Sequence, residues 1–246
     1  MRLYRHLPNF LTCLNLLCGL LAIVCIAAGD PLAAAFLVIV AAIFDFFDGF
    51  VARLLKVSSA IGKELDSLAD MVTFGVVPGV MLLYYLVETT GWFIQGPGTF
   101  VRYPLLLVPL AVPVFSALRL AKFNIDTRQT DSFRGVPTPA SALWVISIPL
   151  ILAYGPKQFS DLTDGLMTNQ WYLIGSAVVL CTLMVSDLPL IAMKFKHYGW
   201  QGNETRWLLL IISVVLLIIL RPLAIPAILL LYVLLSAVGI LKSKKQ

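Results

Sequence analysis

Charge is what this chain has least of. Only 13% of its 246 residues are Asp, Glu, Lys or Arg, about half the share usual in a soluble domain. Histidine is nearly absent, with two residues, His6 and His197, both in segments flanking apolar runs. The four cysteines (Cys13, Cys18, Cys25, Cys181) lie inside apolar runs with no CxxC or Cys/His spacing. That excludes a zinc centre and a disulfide framework and leaves small buried hydrophobes. No tract of low complexity, no repeat of fixed period and no separate soluble domain interrupts the chain.

Hydrophobic residues fill the space that charge leaves, at 60% of the chain with a mean hydropathy of +0.93. Several apolar runs reach or approach the ~20 residues that cross a bilayer. The pattern predicts an all-α polytopic membrane protein of about eight spans, near 9–29, 31–56, 66–88, 103–122, 138–154, 171–194, 206–220 and 223–241. Residues 1–246 read as one integral-membrane domain. The first run, although preceded by Arg2 and Arg5, is long for a signal peptide and reads as a retained helix. Gly29-Asp30-Pro31 marks a tight turn after it.

A net charge of +5 would suit nucleic acid if the cations formed one stripe, but they sit at helix ends, so no nucleic-acid partner is expected. With both termini in the cytoplasm, only Arg102, Lys157 and Arg221 of the 18 basic residues fall outside. This bias sets the orientation by the positive-inside rule.

Four of the acids stand in one stretch. Asp45 and Asp48 are spaced i,i+3 near the inner end of the second span, and Asp66 and Asp70 are spaced i,i+4 at the start of the third. Each pair shares one helix face. Carboxylates in a membrane are costly and are candidates for a functional site. Asp66 alone could be a helix cap, but Asp45 is too deep for that. Four converging carboxylates repel unless a cation joins them, and oxygen ligands without His or Cys suit Mg²⁺ or Mn²⁺. Gly49, Ala52 and Gly62 keep side chains out of the way, and Arg53 could grip a phosphate.

These residues form the pattern D-x2-D-G-x2-A-R-x8-G-x3-D-x3-D, with every spacing met by Asp45, Asp48, Gly49, Ala52, Arg53, Gly62, Asp66 and Asp70. The chain thereby resembles the CDP-alcohol phosphatidyltransferases. The resemblance implies a six-helix core (about 5–195 here, with two added spans at about 206–241), a homodimer, and divalent-metal dependence. It implies that Asp45, Asp48 and Asp66 hold metal, and that Asp70 shares in the metal site and acts as catalytic base. Asn9 and Thr12 in "PNFLT", together with Asp48, Gly49, Ala52, Arg53, Ser59 and Gly62, would bind the CDP-linked lipid. The stretches "LADMVTFGVVPG", "RLAKFNIDT" and "FRGVPTPAS" resemble the branch that transfers a phosphatidyl group from CDP-diacylglycerol to L-serine and releases CMP. Arg119, Asn124 and Arg134 are candidates for serine binding.

The bilayer location fits such chemistry, because the donor's acyl chains stay in lipid while serine and CMP exchange with the cytoplasm. The expected location is the cell (inner) membrane with the site facing the cytoplasm. A sister enzyme acting on glycerol 3-phosphate, inositol phosphate or another alcohol is the alternative. A carboxylate-based cation transporter is a remote one, since no internal repeat is present. Asp187, within the expected sixth span, has no assigned role.

Overall fold

The computed structural model describes residues 6–57, 59–92, 96, 98–125, 133–190, 199 and 203–243, without side chains at 133–134 and 237–243. Among the described residues the regular structure is helical apart from one two-residue strand pair. Helices α1 (Leu7–Ala27) and α2 (Pro31–Leu54) form a long antiparallel hairpin. Its turn is built from the residues expected: Gly29 takes φ +84, and Asp30 caps α2 by accepting from the Ala33 amide at 2.9 Å. Helix α1 buries Thr12, Asn15, Gly19, Ala22 and Ile26 at three- and four-residue intervals, which is one face. Helix α2 turns Ala34, Ala35, Val38, Ala41 and Asp48 inward.

The third span begins earlier than the expected 66. Helix α3 (Ala60–Asp70) starts at an N-cap supplied by Ser59, whose Oγ accepts from the Gly62 amide at 2.9 Å. Asp66 is therefore an interior residue and not a cap. A π-helical segment, Met71–Val76, follows directly and continues into α4 (Val77–Thr90), giving 31 helical residues from Ala60 to Thr90. This segment packs on α1 and on α6 (Ala111–Ile125). The fit is close on both sides. A Cβ on Gly19 would meet Thr73 Oγ1 at 2.4 Å, and one on Gly75 would meet Ser116 Cβ at 2.9 Å. Between α4 and α6 lie the short α5 (Gly98–Arg102) and a 3-10 turn, Pro104–Leu107.

Helix α7 (Thr138–Tyr154) is the most buried, with Ala142, Val145, Ile146 and Ile148 fully enclosed. It breaks after Tyr154 and the chain turns through 102° into Lys157–Met167, which includes α8 (Ser160–Met167). Helix α9 (Gln170–Val185) returns beside α6, and Trp144 Nε1 donates to Ser176 Oγ to tie it to α7. The sixth span is shorter than the expected 171–194. Ser186 is already extended, and β2 (Pro189–Leu190) pairs antiparallel with β1 (Phe133–Arg134). Asp187 thus lies past the end of its helix and not inside a span. Gly135 makes this junction possible. Its φ is +72, and a Cβ there would sit 2.5 Å from the Met184 carbonyl oxygen.

Helices α10 (Glu204–Leu220) and α11 (Ala224–Ser243) complete the chain, joined by a 3-10 turn, Arg221–Leu223, that packs on α7. By length and apolarity, five helical stretches among the described residues can cross a membrane, or six if the bent α7–α8 pair counts as one span. Gln170–Val185 is apolar but shorter, and α10 and α11 fall within one stretch. The count of eight therefore rests on how those two parts are divided.

Glycine 79 measures how tightly α4 meets the start of α6. A Cβ there would lie 2.6 Å from Pro113 Cδ and 3.1 Å from the Pro109 carbonyl oxygen. Gly175 in α9 has nothing within 4 Å. Gly79→Ala should destabilise by about 1–3 kcal/mol through overpacking, whereas Gly175→Ala should be neutral or stabilising by up to about 1 kcal/mol. Thermal unfolding of each purified variant in detergent, compared with the parent, checks the pair.

Candidate active site

The site forms where α2 and α3 meet under the first half of α1. Asp45, Asp48 and Asp66 each offer a carboxylate oxygen, and these oxygens lie within 4.8 Å of one another. Asp48 is buried, while Asp45 and Asp66 are half-buried. The two helices supply what the i,i+3 and i,i+4 spacings predicted, two acidic faces looking at each other. The three-oxygen group has no His or Cys, and hard oxygen donors at this spacing fit a hard divalent cation.

Asp70 stands beside this group rather than in it. Its carboxyl lies within hydrogen-bonding reach of Asp45, and its Oδ1 accepts from Asn15 Nδ2 at 3.4 Å. It is the last residue before the π-helical segment. π-Helical turns frequently occur at functional sites. Here the segment is held to α1 by Thr73 Oγ1, which donates to the Asn15 carbonyl at 3.2 Å.

Helix α1 orients the carboxylates from above. Thr12 is buried, and its hydroxyl donates to Asp48 Oδ2 at 2.6 Å. The same hydroxyl lies 3.1 Å from the Pro8 carbonyl, one turn back. Asn9 sits at the mouth, where a Cβ on Gly62 would come within 2.9 Å of its Oδ1. Gly62 is therefore needed for the close approach of α3 to the start of α1. Ser59 is joined to the same corner through its cap on the Gly62 amide.

On α2, the Arg53 side chain is exposed and folds back, so that a Cβ on Gly49 would lie 3.6 Å from its Nη1. Ala52 follows Asp48 by one turn and is half-buried. Asn9, Ser59 and Gly62 thus meet at one corner, Gly49 and Arg53 lie together on α2 beside Asp48, and Thr12 touches Asp48 directly.

The candidate serine ligands separate. Arg119 is buried at 8% exposure, with its guanidinium carbon 5.9 Å from the Phe123 ring centre. Asp70 is near enough to act electrostatically on its guanidinium. Asn124 lies farther along α6, where Nδ2 donates to Ser67 Oγ at 2.9 Å and its carbonyl accepts from Lys63 Nζ at 3.2 Å. It joins α6 to α3. The Arg134 side chain lies outside the described residues, as do Arg128 and His197.

Sequence reasoning missed Asn15. Its side chain is fully buried in an apolar helix, and its spacing of three from Thr12 and six from Asn9 was the available signal.

Comparison with known proteins places the chain in a family. Residues 5–186 match the CDP-alcohol phosphatidyltransferase family. The chain is 33% identical over 218 residues to a protein of Helicobacter pylori (strain J99 / ATCC 700824) named CDP-diacylglycerol--serine O-phosphatidyltransferase, covering 88% of this chain and 82% of that one. It is 36% identical over 203 residues to a protein of the same name from Bacillus subtilis (strain 168), covering 82% and 99%. An archaetidylserine synthase of Methanothermobacter thermautotrophicus is 33% identical over 146 residues, covering 58% of each chain. With three carboxylates gathered on two facing helices and the family pattern extending over most of its length, this chain belongs to the CDP-alcohol phosphatidyltransferase family.

Proposed function

We propose that the protein transfers the phosphatidyl group of CDP-diacylglycerol to the hydroxyl of L-serine, giving phosphatidylserine and CMP. The observation that carries the reaction type is the group of Asp45, Asp48 and Asp66 oxygens beside a fourth carboxylate held by Asn15. The choice of serine rests on the names of the relatives.

In this reading Asp45, Asp48 and Asp66, with Asp70 at their edge, hold the divalent metal. Bound there, the metal would supply neutralisation of the pyrophosphate and of the charge that grows on the leaving CMP. Thr12 holds Asp48 in place, and Arg53, folded over Gly49, receives a donor phosphate. Asn9, Ala52, Ser59 and Gly62 border the donor's nucleotide.

Asp70 accepts the proton of the serine hydroxyl, which is too weak a nucleophile unaided at neutral pH. The serine oxygen then bonds to the phosphatidyl phosphorus. The bond from that phosphorus to the CMP oxygen breaks, and its electron pair leaves with CMP. Asp70 afterwards returns its proton to water.

Arg119, close to Asp70, is the leading candidate for the serine carboxylate, with its planar guanidinium suited to two-point contact. Asn124 and Arg134 are weaker candidates. A homodimer follows from the family resemblance.

The site faces the cytoplasm of the cell (inner) membrane, with both termini on that side. The distribution of basic residues supports this orientation. It requires an even number of crossings, which division of Glu204–Ser236 into two spans gives as eight, and two features support that division. The backbone leaves helical geometry at Arg221, where φ is +53. Helix α11 also packs both on α7 and on β2, the strand beside the α6–α7 connection.

Purified protein in mixed micelles, given CDP-diacylglycerol with serine, glycerol 3-phosphate or inositol phosphate, should release CMP with serine alone. Release should stop on chelation and return with Mg²⁺ or Mn²⁺. Preference for a phosphorylated alcohol, or full activity in excess chelator, would overturn the assignment.

Replacing Asp70 separates chemistry from binding. Asp70→Asn should lower turnover by ~10²–10⁴-fold with donor binding largely kept, whereas Asp45→Asn or Asp66→Asn should lose metal and donor binding together. Steady-state kinetics with donor titrations distinguish them, and near-normal turnover in Asp70→Asn would move the base elsewhere.

Orientation is read by labelling single cysteines in a background without the native four. A cysteine at Lys122 should react with an impermeant reagent only from the cytoplasmic side, and one at Gln158 only from outside. The opposite pattern would invert the placement of the site.

A further inference from the structure

Among the described residues, three buried side-chain polar atoms have no hydrogen-bond partner: Asn15 Oδ1, Arg119 Nε and Thr138 Oγ1. Orphaned buried polar atoms are rare, because each forfeits its hydration without replacement. Two of the three flank Asp70. Asn15 is fully buried, and its Nδ2 donates to Asp70. Its other amide atom, Oδ1, is thus a free acceptor within the width of one amide group of that bond. Arg119 is also more than nine-tenths buried, and its Nε is a free donor.

The fold brings these two residues in from opposite sides. The π-helical segment that begins after Asp70 touches α1 through Thr73 and the Asn15 carbonyl. It touches α6 through Gly75 and Ser116, one turn before Arg119. Asp70 therefore stands between an unused acceptor on α1 and an unused cationic donor on α6. An α-amino acid carrying a hydroxyl is complementary to that set. Its ammonium needs an acceptor, its carboxylate needs a cationic donor, and its hydroxyl must meet the base between them.

We propose that Asn15 and Arg119 form a two-point recognition site for the zwitterion of the acceptor: Asn15 Oδ1 accepts from the ammonium, Arg119 binds the carboxylate, and the hydroxyl is thereby delivered to Asp70. This deepens, and rests on, the reading of the protein as a serine phosphatidyltransferase. It assigns Asn15 two tasks. Nδ2 positions the Asp70 carboxylate, and Oδ1 selects an acceptor bearing an amine. A site built around buried hydrogen-bonding atoms rejects analogues that leave those atoms unpaired.

The test uses acceptors that each lack one charge of serine. Ethanolamine lacks the carboxylate, and 3-hydroxypropanoate lacks the ammonium. The full-length protein should favour serine over each by on the order of 10²-fold in kcat/KM. Arg119→Gln should collapse the preference over ethanolamine to a few-fold and keep that over 3-hydroxypropanoate. Asn15→Leu, with the same branched arrangement of side-chain heavy atoms, should do the reverse and also lower kcat, since Asp70 loses its donor. The KM for CDP-diacylglycerol, measured in parallel, should stay near that of the parent in both. If either substitution fails to give folded protein, Arg119→Lys and Asn15→Ser take its place.

A merely structural role would reduce all acceptors alike and leave both preferences standing, and that result overturns the proposal. Loss of both preferences together in either variant overturns it as well. Failure of the unaltered protein to use serine at all is a different result. It removes the underlying reading, and the two-point site with it.

Discussion

Everything in this structure answers to one constraint: four carboxyl groups must be kept close together within an apolar helix bundle. Side-chain hydroxyls and amides meet it from a single neighbouring helix. Thr12 donates to Asp48 and Asn15 to Asp70, one turn apart on the same face of α1. Each donor offsets part of the cost of taking a carboxylate out of water. One oxygen from each of Asp45, Asp48 and Asp66 lies within 4.8 Å of the other two, and a cation can join them.

The same constraint explains where side chains are small. Gly62 lets α3 approach Asn9, Gly19 lets Thr73 reach α1, and Gly75 and Gly79 let the long third helix lie against Ser116 and Pro113. With lipid as the surrounding medium, hydrophobicity alone does not hold helices together, and close packing at small residues takes its place. The glycines thus set the distances at which the polar side chains of neighbouring helices can meet.

Much of this could be read from the residues in order. The acidic pairs have spacings that only make sense on helix faces, and the structure has both pairs on adjacent antiparallel helices. The turn at Gly29 to Pro31 was equally plain. Other features were hidden for physical reasons. The start of α3 at Ala60 depends on a cap by Ser59 in a polar stretch where hydropathy gives no signal. The end of α9 at Val185 depends on backbone bonding to residues far earlier in sequence, at Gly135, Val136 and the β1–β2 pair. Asn15 looked like one polar residue in an apolar run. Its importance appears only when α3 is folded against it. Asn124, by contrast, shares a segment with Arg119 and looked equivalent to it, but its amide is committed to Ser67.

The π-helical segment from Met71 to Val76 divides the third span into two parts with different rotational settings. An ordinary helix advances about 100° per residue, so a fixed face upstream dictates the face downstream. A widened turn breaks that linkage. The acidic half, ending at Asp70, is aimed at α1 and α2, while the downstream half is aimed at the Pro109–Pro113 region that meets Gly79. Either half can change its partners over evolutionary time without re-aiming the other. Loss of one residue from the widened turn would restore a regular helix and swing Asp70 by about 100° relative to α4. Length in this short stretch is therefore constrained alongside the identities of Thr73 and Gly75, because an insertion or deletion acts as a rotation of the whole acidic half.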